Sequence, residues 1–234
     1  MPATAQHVAR QIGLPYSDPL MDGPVIQAAA DQALANGINT TDVLRTVQAL
    51  ADMGAPTLIM SYWNPIEHFG VDRFAKDLAQ AGGVGVITPD IIPEEAQDWI
   101  RATDEAMIDR VFLVAPSSPR ARIERVAEIS TGFVYAASTM GVTGTRASVG
   151  ADAADLVSRV REVTRQPVCV GLGVSTPQQA AEVARYADGV IVGSAFVRLV
   201  LEAKTPAAAV ADVAALAAGM AAAVRSARKQ GAQK

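Results

Sequence analysis

The residues best placed to do chemistry cluster in one long connection and in three glycine-rich turns. The connection runs from Gly13 to Gln27 and reads Gly13-Leu14-Pro15-Tyr16-Ser17-Asp18-Pro19-Leu20-Met21-Asp22-Gly23-Pro24-Val25-Ile26-Gln27. It holds two carboxylates and exceeds the roughly two to six residues usual between a strand and a helix, and long loops are where function tends to reside. A carboxylate there can serve as an acid, a base or a hydrogen-bond acceptor. Local structure explains the same residues. Pro24 suits the first helical position, and Asp22 can hydrogen-bond the opening turn and favour the helix dipole, so structural and catalytic roles for Asp22 balance evenly. The turns are Met140-Gly141-Val142-Thr143-Gly144-Thr145, Gly171-Leu172-Gly173-Val174-Ser175 and Gly193-Ser194-Ala195-Phe196. Bare backbone N–H groups in such turns let an anion approach closely. One alone reads as a tight turn; three converging on one rim point to a phosphate site.

Other polar groups at strand ends are Tyr62, Asn64, Asp90 and Tyr135. Asp90, between Pro89 and a helix expected near Pro93, takes a turn role by default, and the two tyrosines suit core positions with a hydroxyl at the wet end. Glu94 and Glu95 fall in a first helical turn, where negative charge is favourable, and carry no chemistry. The single cysteine, Cys169, lies in the apolar run Pro167-Val168-Cys169-Val170 and reads as a small buried thiol rather than a nucleophile. With only His7 and His68 as imidazoles, no metal-binding cluster is expected.

The elements that must position these residues alternate between short β-rich runs and longer amphipathic ones. Strands are expected at His7–Ile12, Thr57–Tyr62, Val84–Pro89, Arg110–Ala115, Phe133–Ala137, Val168–Gly171 and Gly189–Val192. Helices are expected at Val25–Ala35, Thr41–Met53, Asp72–Ala81, Glu94–Thr103, Pro119–Ser130, Ala153–Thr164, Pro177–Tyr186 and Pro206–Arg228. No linker separates two halves of the 234 residues, which favours one α/β domain, a TIM (β/α)₈-type barrel, over an open doubly wound sheet. Seven strands leave that barrel one β/α unit short, with two unpaired edges unless something fills the gap.

Composition narrows the function classes. Half of the chain is hydrophobic and 19% is charged, which indicates a globular protein with much buried surface. With 20 basic and 24 acidic residues and no Lys/Arg cluster before the last ten residues, a nucleic-acid groove is not expected. Met1–Arg10 has no apolar core of a signal peptide, and the uncharged stretch Val213–Val224 is shorter than the roughly 20 residues of a membrane span. A reduced, cytoplasmic protein without a membrane anchor is the expectation.

The segment Leu14–Gln27 resembles the signature of the tryptophan synthase alpha subunit family, and Gly141-Val142-Thr143-Gly144 resembles that family's sixth loop. The strand at Leu58–Tyr62, the Pro89-Asp90 turn, Gly171-Leu172-Gly173 and Gly193-Ser194 are in register with it, so the likeness runs from about Gln11 to the C-terminal helix. The resemblance implies a (β/α)₈ barrel that cleaves indole-3-glycerol phosphate to indole and glyceraldehyde 3-phosphate, docked to a beta subunit in an α2β2 complex and using no metal or organic cofactor. It implies that Asp22 engages the indole nitrogen and that Thr143 positions it. Gly144, Gly173, Gly193 and Ser194 would cradle the phosphate, and Tyr62, Ile87, Tyr135 and Leu172 would wall the indole pocket. Asp18 and the Asn64-Pro65 region would meet the beta subunit.

Two departures from the family pattern stand at one end. Gln11 occupies the position of the family's essential glutamate, and an amide cannot exchange a proton at neutral pH, which costs roughly 10²- to 10⁴-fold in a general acid–base step. The family's first strand and helix have no counterpart before it, and Arg10 puts a charge into a strand that should be apolar. The economical expectation is that residues 1 to about 10 replace strand 1, helix 1 and most of strand 2. An alternative reading follows: a catalytically impaired binding or regulatory subunit of a beta-type tryptophan synthase.

Overall fold

A computed structural model describes residues 9–137, 149–171 and 173–231. In chain order the elements are β1 (Arg10–Gly13), α1 (Pro24–Ala35), α2 (Thr40–Asp52), β2 (Thr57–Met60), α3 (Trp63–Phe69), α4 (Val71–Gln80), β3 (Gly85–Ile87), a 3₁₀ turn at Pro93–Glu95, α5 (Gln97–Ala106), β4 (Asp109–Val111), β5 (Leu113–Val114), α6 (Arg120–Ile129), β6 (Val134–Ala137), α7 (Val149–Arg161), β7 (Val168–Gly171), α8 (Pro177–Val183), β8 (Gly189–Val190), α9 (Ser194–Glu202) and α10 (Pro206–Gly231). They fall into two compact units. The first holds the described residues up to Leu20 with Ala30–Phe112 and Ile129–Gly132; the second holds Met21–Ala29, Leu113–Glu128 and the described residues from Phe133 onward.

Each unit is built on a four-stranded, wholly parallel sheet, ordered β1-β2-β3-β4 in the first and β5-β6-β7-β8 in the second. Ile12 pairs with Ile59, Ile59 with Val86 and Val86 with Arg110; Leu113 pairs with Tyr135, Tyr135 with Cys169 and Cys169 with Gly189. The seven expected strand runs all form, but Arg110–Ala115 does not form one strand. It divides at Phe112, and its halves join different sheets, which raises the number of described strands to eight. The first strand lies later than expected, at Arg10–Gly13, and Arg10 and Gln11 are both exposed there. That exposure explains how a charged residue is accommodated in this strand.

Two helices, α3 and α9, were not legible as periodic runs. The seven-residue α3 has Pro65 in its first turn, and α9 (Ser-Ala-Phe-Val-Arg-Leu-Val-Leu-Glu) is apolar on nearly every side, with none of its residues buried. Helix α10 extends well beyond the uncharged run Val213–Val224. Its Pro206–Lys229 stretch is, by length and composition alone, long and apolar enough to cross a membrane, which corrects the expectation that no segment is. Here it packs against α8 and α9.

In the first unit Trp99 of α5 is fully buried, with Trp63 edge-on at 5.8 Å and Phe74 tilted at 6.2 Å between ring centroids. In the second, Leu156, Val157 and Val160 of α7 are buried, as are Val134, Val168 and Val170 of β6 and β7. One cation lies in the first core: Arg110, 7% exposed, donates from Nε to the Ile129 carbonyl at 2.6 Å and from Nη1 to Thr103 Oγ1 at 3.2 Å, and pairs with Asp104. These partners offset the cost of burying the charge. Cys169, expected to be buried, is half-buried instead and stands beside Gly189, where an added Cβ would lie 2.4 Å from its sulfur. Burial, and secondarily the negative charge of Asp188, push the Cys169 thiol up to about 12.

Arg110→Met should lower the unfolding free energy in urea by about 1–3 kcal/mol, because the buried Ile129 carbonyl loses its donor. Asp104→Ala, at a carboxylate 60% exposed, should cost less than about 1 kcal/mol; equal losses would show the ion pair, not the carbonyl, to be what matters. Since the thiolate is the reactive form, the native Cys169 should react with a disulfide reagent at pH 8 on the order of 10³-fold more slowly than in the unfolded chain. Comparable rates would contradict the raised thiol.

Candidate active site

In the first unit the chain leaves β1 through the Leu14 N–H, which donates to the Met60 carbonyl at 2.9 Å and prolongs the ladder by one residue. Gln11 Nε2 donates to Met60 Sδ at 3.0 Å, a weak acceptor, and no carboxylate occupies this position. Past the strand, the Tyr16 ring tilts against the Tyr62 ring at 5.4 Å, and Tyr62 is buried. Ile87, at the end of β3, is also buried. Asp18 is exposed and accepts from Ser17 Oγ at 2.6 Å; Asn64 is exposed and Pro65 half-buried in the first turn of α3.

Asp90 does more than close a turn. Its two carboxylate oxygens accept the Trp63 backbone N–H at 2.9 and 3.0 Å, across 27 residues of sequence. Burial pushes its carboxyl above the usual range, opposed by the Trp63 N–H and its own backbone N–H. Nothing near Asp90 in the sequence points to Trp63; only the pairing of β2 with β3 brings them together.

The second unit holds Asp22, Tyr135, Gly173, Gly193 and Ser194. Asp22 is half-buried, and its backbone carbonyl accepts from Gln27 Nε2 at 2.7 Å. The carbonyl that opens α1 is that of Gly23, which accepts from the Ile26 and Gln27 N–H groups, each at 3.0 Å. Tyr135 is buried on β6 with its hydroxyl over Gly171, where an added Cβ would come within 2.1 Å of it. Burial raises the Tyr135 hydroxyl well above its ordinary value, so it stays protonated as a donor.

Gly173 and Gly193 follow β7 and β8, adjacent parallel strands, and therefore lie at the same end of the sheet. Gly173 has φ +86°, a left-handed conformation that a side chain would strain, and neither glycine has an atom within 4 Å of where a Cβ would be. Gly193 caps α9 with no side-chain hydrogen bond. Backbone N–H groups at the start of a helix, beside an open glycine turn, are suited to an anion. Thr143, Gly144 and Leu172, and the whole turn Met140–Thr145, lie outside the described residues. Among the described residues no three His, Cys, Asp or Glu side chains gather as they would around a metal ion.

Comparison with known proteins bears on this arrangement. The tryptophan synthase alpha chain family matches residues 3–225. The tryptophan synthase alpha chain of Thermobifida fusca is 60% identical over 222 residues, 94% of this chain and 82% of that relative. That of Streptomyces coelicolor is 56% identical over 216 residues, 92% and 80% respectively. Among solved structures, a tryptophan synthase from Mycobacterium tuberculosis superposes with a TM-score of 0.84 at 51% identity, covering 92% of this chain and 80% of that one. A tryptophan synthase subunit alpha from Legionella pneumophila gives 0.82 at 32% identity, covering 93% and 82%. The two parallel sheets and their helices match the α/β barrel of these structures. The chain belongs to the tryptophan synthase alpha chain family, carbon–carbon lyases of tryptophan biosynthesis.

Proposed function

We propose that this chain binds indole-3-glycerol phosphate and cleaves it, by a retro-aldol step, to indole and glyceraldehyde 3-phosphate in the cytoplasm. The supporting observation is the pair of open glycine turns at Gly173 and Gly193, with Ser194 opening α9, at the same end of one sheet. Those N–H groups take the phosphate, together with Gly144. In the reaction the bond between indole C3 and the glycerol chain breaks, C3 takes up a proton, and the adjacent hydroxyl loses one as it becomes the aldehyde. Asp22 accepts the indole N–H and favours the positive charge that develops on the ring; Thr143 holds Asp22 in place. Tyr62, Ile87, Tyr135 and Leu172 supply apolar wall. No metal or organic cofactor enters the step.

Gln11 cannot move the proton that the glutamate of the family pattern moves, so another group or water must carry it, and turnover falls accordingly. The partner is a tryptophan synthase beta subunit, met through Asp18, Asn64 and Pro65; the exposure of Asp18 and Asn64 supports this. The amide at Gln11 also favours a second reading, in which the chain is a binding subunit that regulates the beta reaction. That reading predicts no turnover by the chain alone and a changed beta-subunit rate on titration; an unchanged beta rate excludes it.

Gln11→Glu should raise indole release from indole-3-glycerol phosphate by roughly 10²- to 10⁴-fold, and Asp22→Asn in that background should remove most of the gain. A Gln11→Glu chain no faster than buffer would sink the assignment of the first strand. Glycerol phosphate should raise the melting temperature, and Ser194→Asp, which sets a like charge against the anion, should abolish the shift. A shift that survives Ser194→Asp would place the phosphate elsewhere.

A further inference from the structure

We infer that Asp90 is a positioning residue for Tyr62, acting by gripping the peptide that joins Tyr62 to Trp63. This peptide is held at both ends. Ser61 Oγ donates to the Tyr62 carbonyl at 2.7 Å, and the Trp63 N–H is shared between the two Asp90 oxygens at 2.9 and 3.0 Å. With the peptide plane locked, the ψ of Tyr62 is locked near its observed 159°, and with it the direction of the Cα–Cβ bond that aims the ring.

The surroundings reinforce the grip. Tyr62 is the residue before α3 and supplies no side-chain cap, so the first turn depends on an acceptor from elsewhere. The Trp63 ring is anchored edge-on against buried Trp99, and the Tyr62 ring meets Tyr16. Ser61 is itself buried, and its N–H donates to the Ile87 carbonyl at 3.0 Å. Tyr62 thus has little freedom while the Asp90 bond stands, and gains one soft dihedral when it goes. A carboxylate is a costly choice for a half-buried cap, since burial opposes its charge. Charge-assisted bonds are stronger and shorter than neutral ones, which suits a site where the angle of an aromatic wall matters.

What the ring is aimed at rests on the proposed indole-pocket reading, and the test separates the two. Two probes are titrated by calorimetry into the full chain: indolepropanol phosphate, which needs the apolar wall, and glycerol phosphate, which needs only the phosphate turns. Asp90→Ala should weaken indolepropanol phosphate about tenfold, the scale of one lost charge-assisted bond, and leave glycerol phosphate unchanged. Asp90→Asn keeps an acceptor oxygen in the same place and should restore affinity to within about twofold. Tyr62→Ala should weaken indolepropanol phosphate as well, and the double variant Asp90→Ala/Tyr62→Ala should be no weaker than Tyr62→Ala alone. If Asp90→Ala does not fold, Ser61→Ala releases the other end of the same peptide and carries the same expectations. A folded Asp90→Ala or Ser61→Ala chain that binds indolepropanol phosphate as tightly as the unaltered one, or losses that add in the double variant, overturns the inference alone. An unaltered chain that fails to bind indolepropanol phosphate overturns the pocket reading and the inference with it.

Discussion

A helix begins with backbone N–H groups that its own turns cannot satisfy, and this chain answers that demand differently from one helix to the next. At α2 the Asn39 side chain accepts from the backbone while Asp42 reaches back to the Asn39 N–H; at α8 Thr176 and Gln179 do the same. Those helices are closed by residues beside them. The start of α3 is closed by Asp90, from the turn after the neighbouring strand. At α9 the cap is Gly193, with no side chain on the donors and open space around its Cα. The caps of α4 and α5, Gly70 and Ala96, likewise carry no side-chain hydrogen bond, so what sets Gly193 apart is the open glycine turn that leaves the neighbouring strand.

Parallel pairing makes that distinction useful. Because β7 and β8 run the same way, the turns that leave them emerge at one end, and Gly173 and Gly193 are brought to the same side of the second unit's sheet without any contact between them in sequence. The same logic in the first unit sets the residues after β2 beside those after β3, which is how Asp90 reaches Trp63. In each unit short strands carry the register, and the loops beyond them carry the polar groups.

The first strand is the place where local chemistry and fold diverge. Arg10 and Gln11 are hydrophilic residues in a strand, and both are tolerated because β1 is the outer strand of its sheet among the described residues, with its side chains open to water. The strand therefore forms on its backbone pairing to β2, while its Gln11 side chain is an amide against a thioether. Pairing to β2 constrains the backbone and is indifferent to whether the side chain at position 11 can exchange a proton.

From its residues alone the chain determined the alternation of strands and helices, the seven strand runs, the glycine turns and the family to which they belong, because hydrophobic period, proline and glycine act over a few neighbours. It did not disclose α3, whose first turn contains a proline, or α9, which has no polar face to give a period. Nor did it disclose that one apolar run at Phe112 would serve two sheets, since a run of buried residues looks the same whichever neighbours it pairs with. The role of Asp90 was equally hidden: its partner lies 27 residues away, and a carboxylate after a proline has every local reason to be a turn. Pairing partners, capping at a distance and the burial of a charge such as Arg110 are properties of what comes together in space, and only the tertiary structure decided them.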